Sequence, residues 1–237
     1  MDQKTGDRTL TRTWTLTDLD DPTPTLASNQ GIDAISGSLT GGAALAGESF
    51  SLTFSASSGW NSTASATAVS NGLFETYLTT LTTQDVNGNA GSPDLGWGVN
   101  GGNNNNQIEA GEALVITWDT SDLDLLSQLS LSEIAFNNFT STSRVDFVVY
   151  DVSADTPIFS TFGFDANNSD AMSGNWILED GDLLVIAGGA GSAPFRFNTM
   201  TLDVEAVPEP SSVILLSGVL AVGIFFVRRR RQSVRQA

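Results

Sequence analysis

The chain has 237 residues, a formal net charge of −17, and neither histidine nor cysteine. That excludes Ser-His-Asp and Cys-His nucleophiles, disulfides and thiolate metal sites. It also argues against a nucleic-acid partner, which needs clustered Lys and Arg. The one lysine, Lys4, makes Schiff-base and Ser–Lys chemistry a poor fit, so carboxylate chemistry or none is left.

Met1–Asp21 carries Lys4, Arg8 and Arg12 but not the apolar stretch of a secretory leader. Leu10, Trp14 and Leu16 alternate instead with threonines, which is strand patterning. The rest of the composition is extracellular in character, so a leader upstream of the present start is expected. Asp20–Gly47 reads as a long loop. Ser49–Ala56 puts Phe50, Leu52, Phe54 and Ala56 on one face and Ser49, Ser51, Thr53 and Ser55 on the other. Gly59-Trp60-Asn61 and Gly96-Trp97-Gly98 place two aromatic rings in loops flanked by small residues. Exposed, Trp60 and Trp97 would suit stacking on sugar rings; the plainer reading folds them over the core, where Trp14, Trp118 and Trp176 belong.

A second long loop is expected over Gln84–Glu112, and loops of this length are functional or disordered. Within it Asp85, Asn87 and Asn89 have the alternating oxygen spacing of a calcium loop. Ala90 stands where such a loop needs glycine, and Gly96 where it needs glutamate. Calcium is therefore the only cofactor with any ligand pattern, and a plain polar loop is the competing reading. Asn61-Ser62-Thr63, Asn138-Phe139-Thr140 and Asn167-Asn168-Ser169 match the glycosylation triplet.

Ala113–Asp119 is apolar on both faces, Leu114, Ile116 and Trp118 against Val115. A short helix is expected at Asp122–Gln128, capped by Ser121. Arg144–Asp151, Pro157–Phe164, Asn175–Glu179, Asp182–Ala187 and Phe195–Ala206 read as further strands, with turns at Asn71-Gly72, Asp180-Gly181 and Gly188–Gly191. Glu109-Ala-Gly-Glu112 and Glu179-Asp-Gly-Asp182 share a shape, each an acidic turn feeding an apolar strand, but no clean repeat follows from that alone. Asp146, Glu133, Asp203 and Glu205 are the carboxylates a glycosidase would draw on. Nothing selects a pair of them, and outward-facing strand carboxylates are ordinary.

After Val207-Pro208-Glu209-Pro210 comes the apolar run Val213–Val227, then Arg228, Arg229, Arg230 and Arg231. A helical span needs about 17–25 apolar residues; with Ser211 and Ser212 the run just reaches that length. The arginines orient it with the C-terminus cytoplasmic, and the two prolines stop a helix propagating back into the body. The segment over 207–235 resembles a PEP-CTERM sorting domain. That resemblance implies processing by an exosortase, a membrane-embedded transpeptidase-like protease of Gram-negative bacteria. Pro208, Glu209 and Pro210 would be its recognition element, Val213–Val227 the membrane helix and Arg228–Arg231 the cytoplasmic stop. Association with extracellular polysaccharide is also implied.

Many short strands with Gly/Asn turns and no βαβ rhythm give the expected fold: an all-β antiparallel sandwich over residues 1–206, jelly-roll or lectin-like, then one C-terminal transmembrane sorting helix. The leading expectation is a non-enzymatic surface or matrix protein, anchored transiently in the inner membrane and cut by an exosortase. The alternatives are a calcium-assisted, lectin-like carbohydrate-binding module and, more remotely, a carboxylate-dependent glycosidase.

Overall fold

The computed structural model describes residues 9–15, 25–26, 35–36, 39–40, 49–89, 96–100, 107–121, 127–165 and 171–206. Strands β1 (Thr9–Thr15), β2 (Thr25–Leu26), β3 (Ile35–Ser36), β4 (Leu39–Thr40) and β5 (Ser49–Ser58) come first. Helices α1 (Ser62–Ser70) and α2 (Phe74–Thr79) follow, then β6 (Thr82–Asn89), β7 (Gly96–Asn100), β8 (Glu112–Asp119) and β9 (Ser127–Asn137). The last are β10 (Val145–Asp151), β11 (Thr156–Phe164), β12 (Ala171–Leu178), β13 (Leu183–Gly188) and β14 (Arg196–Ala206).

The chain is all-β in its main architecture, as its alternating segments imply. Ten strands pair antiparallel in one path, β11-β10-β13-β8-β5-β6-β7-β14-β9-β12. β6 turns the corner between the two halves: Thr82–Gln84 pair with β5, and Asp85–Asn89 pair with β7. The sheet is nearly closed. Among the described residues β11 and β12 do not pair, but Phe159 and Trp176 span the gap with ring centroids 5.2 Å apart. β1 adds to β5 antiparallel, and β3 and β4 add to β14 in parallel.

The period-two pattern sends one side chain of each pair inward. Leu52 and Phe54 of β5, Ile116 and Trp118 of β8 and Phe147 of β10 meet Leu131 and Ile134 of β9 and Phe197 and Met200 of β14 in one core. Each such side chain contributes about 1.5–3 kcal/mol by leaving water.

The path has an internal two-fold order. Exchanging β5, β6, β7, β8 and β9 for β10, β11, β12, β13 and β14 reproduces the same neighbours, with only the β11–β12 contact open. The acidic turns carry this relation at atomic level. In both, the fourth residue's N–H donates to the first residue's carbonyl, Glu112 to Glu109 at 3.0 Å and Asp182 to Glu179 at 3.1 Å. In both, the fourth side chain accepts the first residue's N–H, at 2.9 Å and 2.7 Å. Gly111 and Gly181 occupy the third position at φ 87° and 86°, a conformation that favours glycine. Gly111 then donates to the Gly188 carbonyl at the end of β13, and Gly181 to the Trp118 carbonyl near the end of β8. The shared shape of the two sequences is thus a structural correspondence across the β8–β13 pair.

The expectations differ from the structure in four places, the first being the Asp20–Gly47 loop, which holds β2, β3 and β4. The Gln84–Glu112 loop holds β6 and β7. Asp122–Asp124 and the two leucines after them lie outside the described residues, and Ser127 and Gln128, expected at the end of a helix there, open β9 instead. Two helices were not anticipated. Ser62–Ser70 reads STASATAVS, and its hydroxyl-rich composition argues against helix on propensity. The Asn61 cap and packing override that: Ala68, Val69, Phe74 and Trp60 cover Val115, Val148, Tyr150, Val185 and Ala187 on the outer face of the sheet. The two apolar faces of Ala113–Asp119 were the signal for this third layer.

Candidate functional site

Asn61 starts α1. Its Oδ1 accepts the Ala64 N–H at 2.9 Å, which satisfies an otherwise orphaned donor. Its own N–H donates to Tyr77 Oη at 2.7 Å, so α2 is tied to the cap of α1. Tyr77 lies edge-on to Trp60 at 5.5 Å, and Phe74 packs on Tyr150 at 5.0 Å.

Between the helices runs an open groove of about 710 Å³. Thr63, Thr67, Thr76 and Thr80 line it with Asn61 and Asn71. Ala64, Ala68, Leu73 and Tyr77 supply apolar surface, and Leu73 is 55% exposed. No lining residue is charged. The Thr67 and Thr80 hydroxyls donate to the carbonyls of Thr63 and Tyr77, at 2.8 and 2.7 Å. Their oxygens are left as acceptors.

Trp60 and Trp97 are each 5% exposed and offer no open ring face. Trp60 donates from Nε1 to Asp146 Oδ2 at 2.8 Å beneath the helices. Trp97 stacks on Phe54 at 5.8 Å inside the main core. A sugar-stacking platform on these two rings is therefore not what the structure contains, because each ring fills space that the core would otherwise leave empty.

Asp85, Asn87 and Asn89 lie along β6 and not in a loop. An extended strand sets the Cα atoms of Asp85 and Asn89 about 13 Å apart, whereas a calcium loop curls its backbone around one ion. Among the described residues no group of three Asp or Glu side chains could hold a metal ion.

The two candidate carboxylates with described side chains, Asp146 and Glu133, do not converge either. Asp146 is fully buried under the helices, with Oδ1 accepting the Gly163 N–H at 2.7 Å. Glu133 is exposed on β9, in the other half of the sheet. The side chains of Asp203 and Glu205 lie outside the described residues. The outward-facing reading of Asp146 is corrected by the helical layer, which closes over it.

Glu112 is 4% exposed, and burial pushes its carboxyl up to about 7, opposed by its bond from the Glu109 N–H. Burial likewise raises the Asp182 carboxyl. Both oxygens are engaged in turns and neither faces the groove.

Val207, Pro208, Glu209, Pro210, the apolar run and Arg228–Arg231 lie outside the described residues. Among the described residues no helix is long and apolar enough to cross a membrane. β14 pairs with β9 through Ala206 opposite Ser127, so the tail begins directly after a paired strand.

The chain carries a PEP-CTERM protein-sorting motif, which matches residues 206–231. No curated protein matches the chain. A solved fucose binding module of Streptococcus pneumoniae, SpX-3, is similar at 16% identity over 44% of this chain and 70% of that one, with a TM-score of 0.25.

The groove residues Thr67 and Tyr77 were not singled out by sequence. A Thr/Ser/Ala helix has no amphipathic stripe, and only the Asn61 triplet drew attention to this stretch.

Proposed function

We propose that this is an exported surface or matrix protein without catalytic activity, delivered by its tail and processed by an exosortase of a Gram-negative cell envelope. The observation that carries this reading is the PEP-CTERM motif at residues 206–231. Before processing, Val213–Val227 holds the body at the inner membrane, with Arg228–Arg231 on the cytoplasmic side. The exosortase recognises Pro208-Glu209-Pro210 and removes the helix, and the all-β body is then released or attached outside, where extracellular polysaccharide is its expected surrounding. A body whose last strand ends at Ala206 suits this, because the tail can leave without taking a strand with it. The lack of histidine and cysteine supports a display role over an enzymatic one.

The test is the C-terminal peptide of the native protein by mass spectrometry, from envelope and medium separately. Mature chains ending near Pro208–Ser212 and lacking Arg228–Arg231 are expected. An intact tail persisting only in the inner membrane would replace this reading with a simple tail-anchored protein.

A further inference from the structure

We infer that the groove between α1 and α2 is a binding site for a neutral saccharide. Three observations lead there, and none depends on how the tail is processed. The groove is uncharged in a chain of formal charge −17. An anionic ligand meets no Lys or Arg there and is repelled by the protein as a whole; a cationic ligand, though drawn by the net charge, meets no carboxylate in the lining to hold it at this place. A neutral ligand suffers neither cost.

The polar groups are the complement of a polyol. Threonine hydroxyls whose hydrogens are committed to backbone carbonyls present acceptors. The Asn61 side chain, its oxygen used by the helix cap, presents its amide nitrogen as donor. Between these groups Tyr77 and Leu73 give apolar surface for the C–H face of a sugar ring.

The site is also rigid, and the two-fold related place lacks it. Tyr77 Oη is fixed to the Asn61 backbone, so the two helices hold one geometry and little ordering accompanies binding. At the two-fold related place, between β10 and β11, the chain makes only the tight turn Val152–Asp155. The helical hairpin is thus an addition to one half of a symmetric scaffold, and such additions are where binding sites are grafted.

The experiment titrates the full-length protein in detergent micelles with maltotetraose, cellotetraose and mannotetraose, and with tetragalacturonate as the acidic probe, read by amide chemical shifts. At least one neutral tetramer is expected to saturate, with the perturbed amides confined to α1 and α2 and no shift from the acidic probe. Thr67→Glu adds charge and bulk at an exposed position and should weaken that binding at least tenfold with an unchanged melting temperature. Glu133→Gln, in the other half of the sheet, should leave it unchanged. No saturation by any neutral tetramer, equal response to tetragalacturonate, or shifts located away from the helices would each overturn the assignment.

Discussion

Burial holds the Glu112 carboxyl protonated to about pH 7, against an ordinary value of 4.5, so this group links stability to pH with a definite sign. Below 4.5 it is protonated in both states and has no effect. Between 4.5 and about 7 the unfolded chain gives up its proton first, so stability falls as pH rises, by about 3 kcal/mol at most. Asp182, raised by the same cause in the related turn, acts in the same direction. Glu112→Gln keeps an acceptor for the Glu109 N–H and removes the titration. Urea midpoints at pH 5 and pH 8 should therefore differ strongly in the native protein and much less in the variant. Trp60 makes a second residue-scale case. Trp60→Phe keeps most of the ring but deletes the donor to buried Asp146 Oδ2, leaving that carboxylate short of a partner. A loss of about 1–3 kcal/mol is expected from urea unfolding.

At the scale of elements, the strand end that the first turn crosses and the glycine inside the second turn respond differently to the same small change. A Cβ on Gly188 would stand 1.9 Å from the Glu109 carbonyl oxygen, where the first turn crosses the end of β13. Backbone cannot yield that distance, so Gly188→Ala should cost several kcal/mol and lower the folded yield. A Cβ on Gly181 meets nothing within 4 Å, and only its φ of 86° opposes a side chain. Gly181→Ala should therefore cost about 1–2 kcal/mol, and paired thermal melts of the two variants would show the gap. The helical layer has its own signature. Replacing residues 60–81 by a short turn uncovers Val115, Val148, Tyr150 and Val185 on the outer face. Such a deletion should bind a hydrophobic dye and self-associate, by sedimentation, while keeping its β circular dichroism.

For the whole molecule the decisive feature is the place of β14, the last of the described strands. β14 is an interior strand, paired with β9 along its length and with β7, β3 and β4 on its other side. It is also the last strand before the sorting motif. A chain truncated after Ala206 should unfold cooperatively like the full protein. One truncated after Phe195 loses Phe197, Met200 and Leu202 from the core and should not fold; circular dichroism against urea distinguishes the two.

By itself the sequence determined the tail and the β character of the body. Pro208-Glu209-Pro210, an apolar run and four arginines act through local properties, length, hydropathy and charge, that are readable in one dimension. Strand alternation is equally local, and it placed the inward face of β5, Phe50, Leu52, Phe54 and Ala56, correctly. Tertiary structure alone decided the rest. Trp60 and Trp97 went inside because non-local partners, Asp146 and Phe54, were waiting for them. Asp85, Asn87 and Asn89 became strand because β7 offered a ladder to pair with. STASATAVS became helix because the outer face of β8, β10 and β13 needed covering, a demand made by strands far away in sequence. The two-fold order of the sheet left only a faint mark in the residues, two acidic turns with glycine. Different side chains can fill the same inward positions, whereas a turn that must accept its own N–H and admit a positive φ has few solutions.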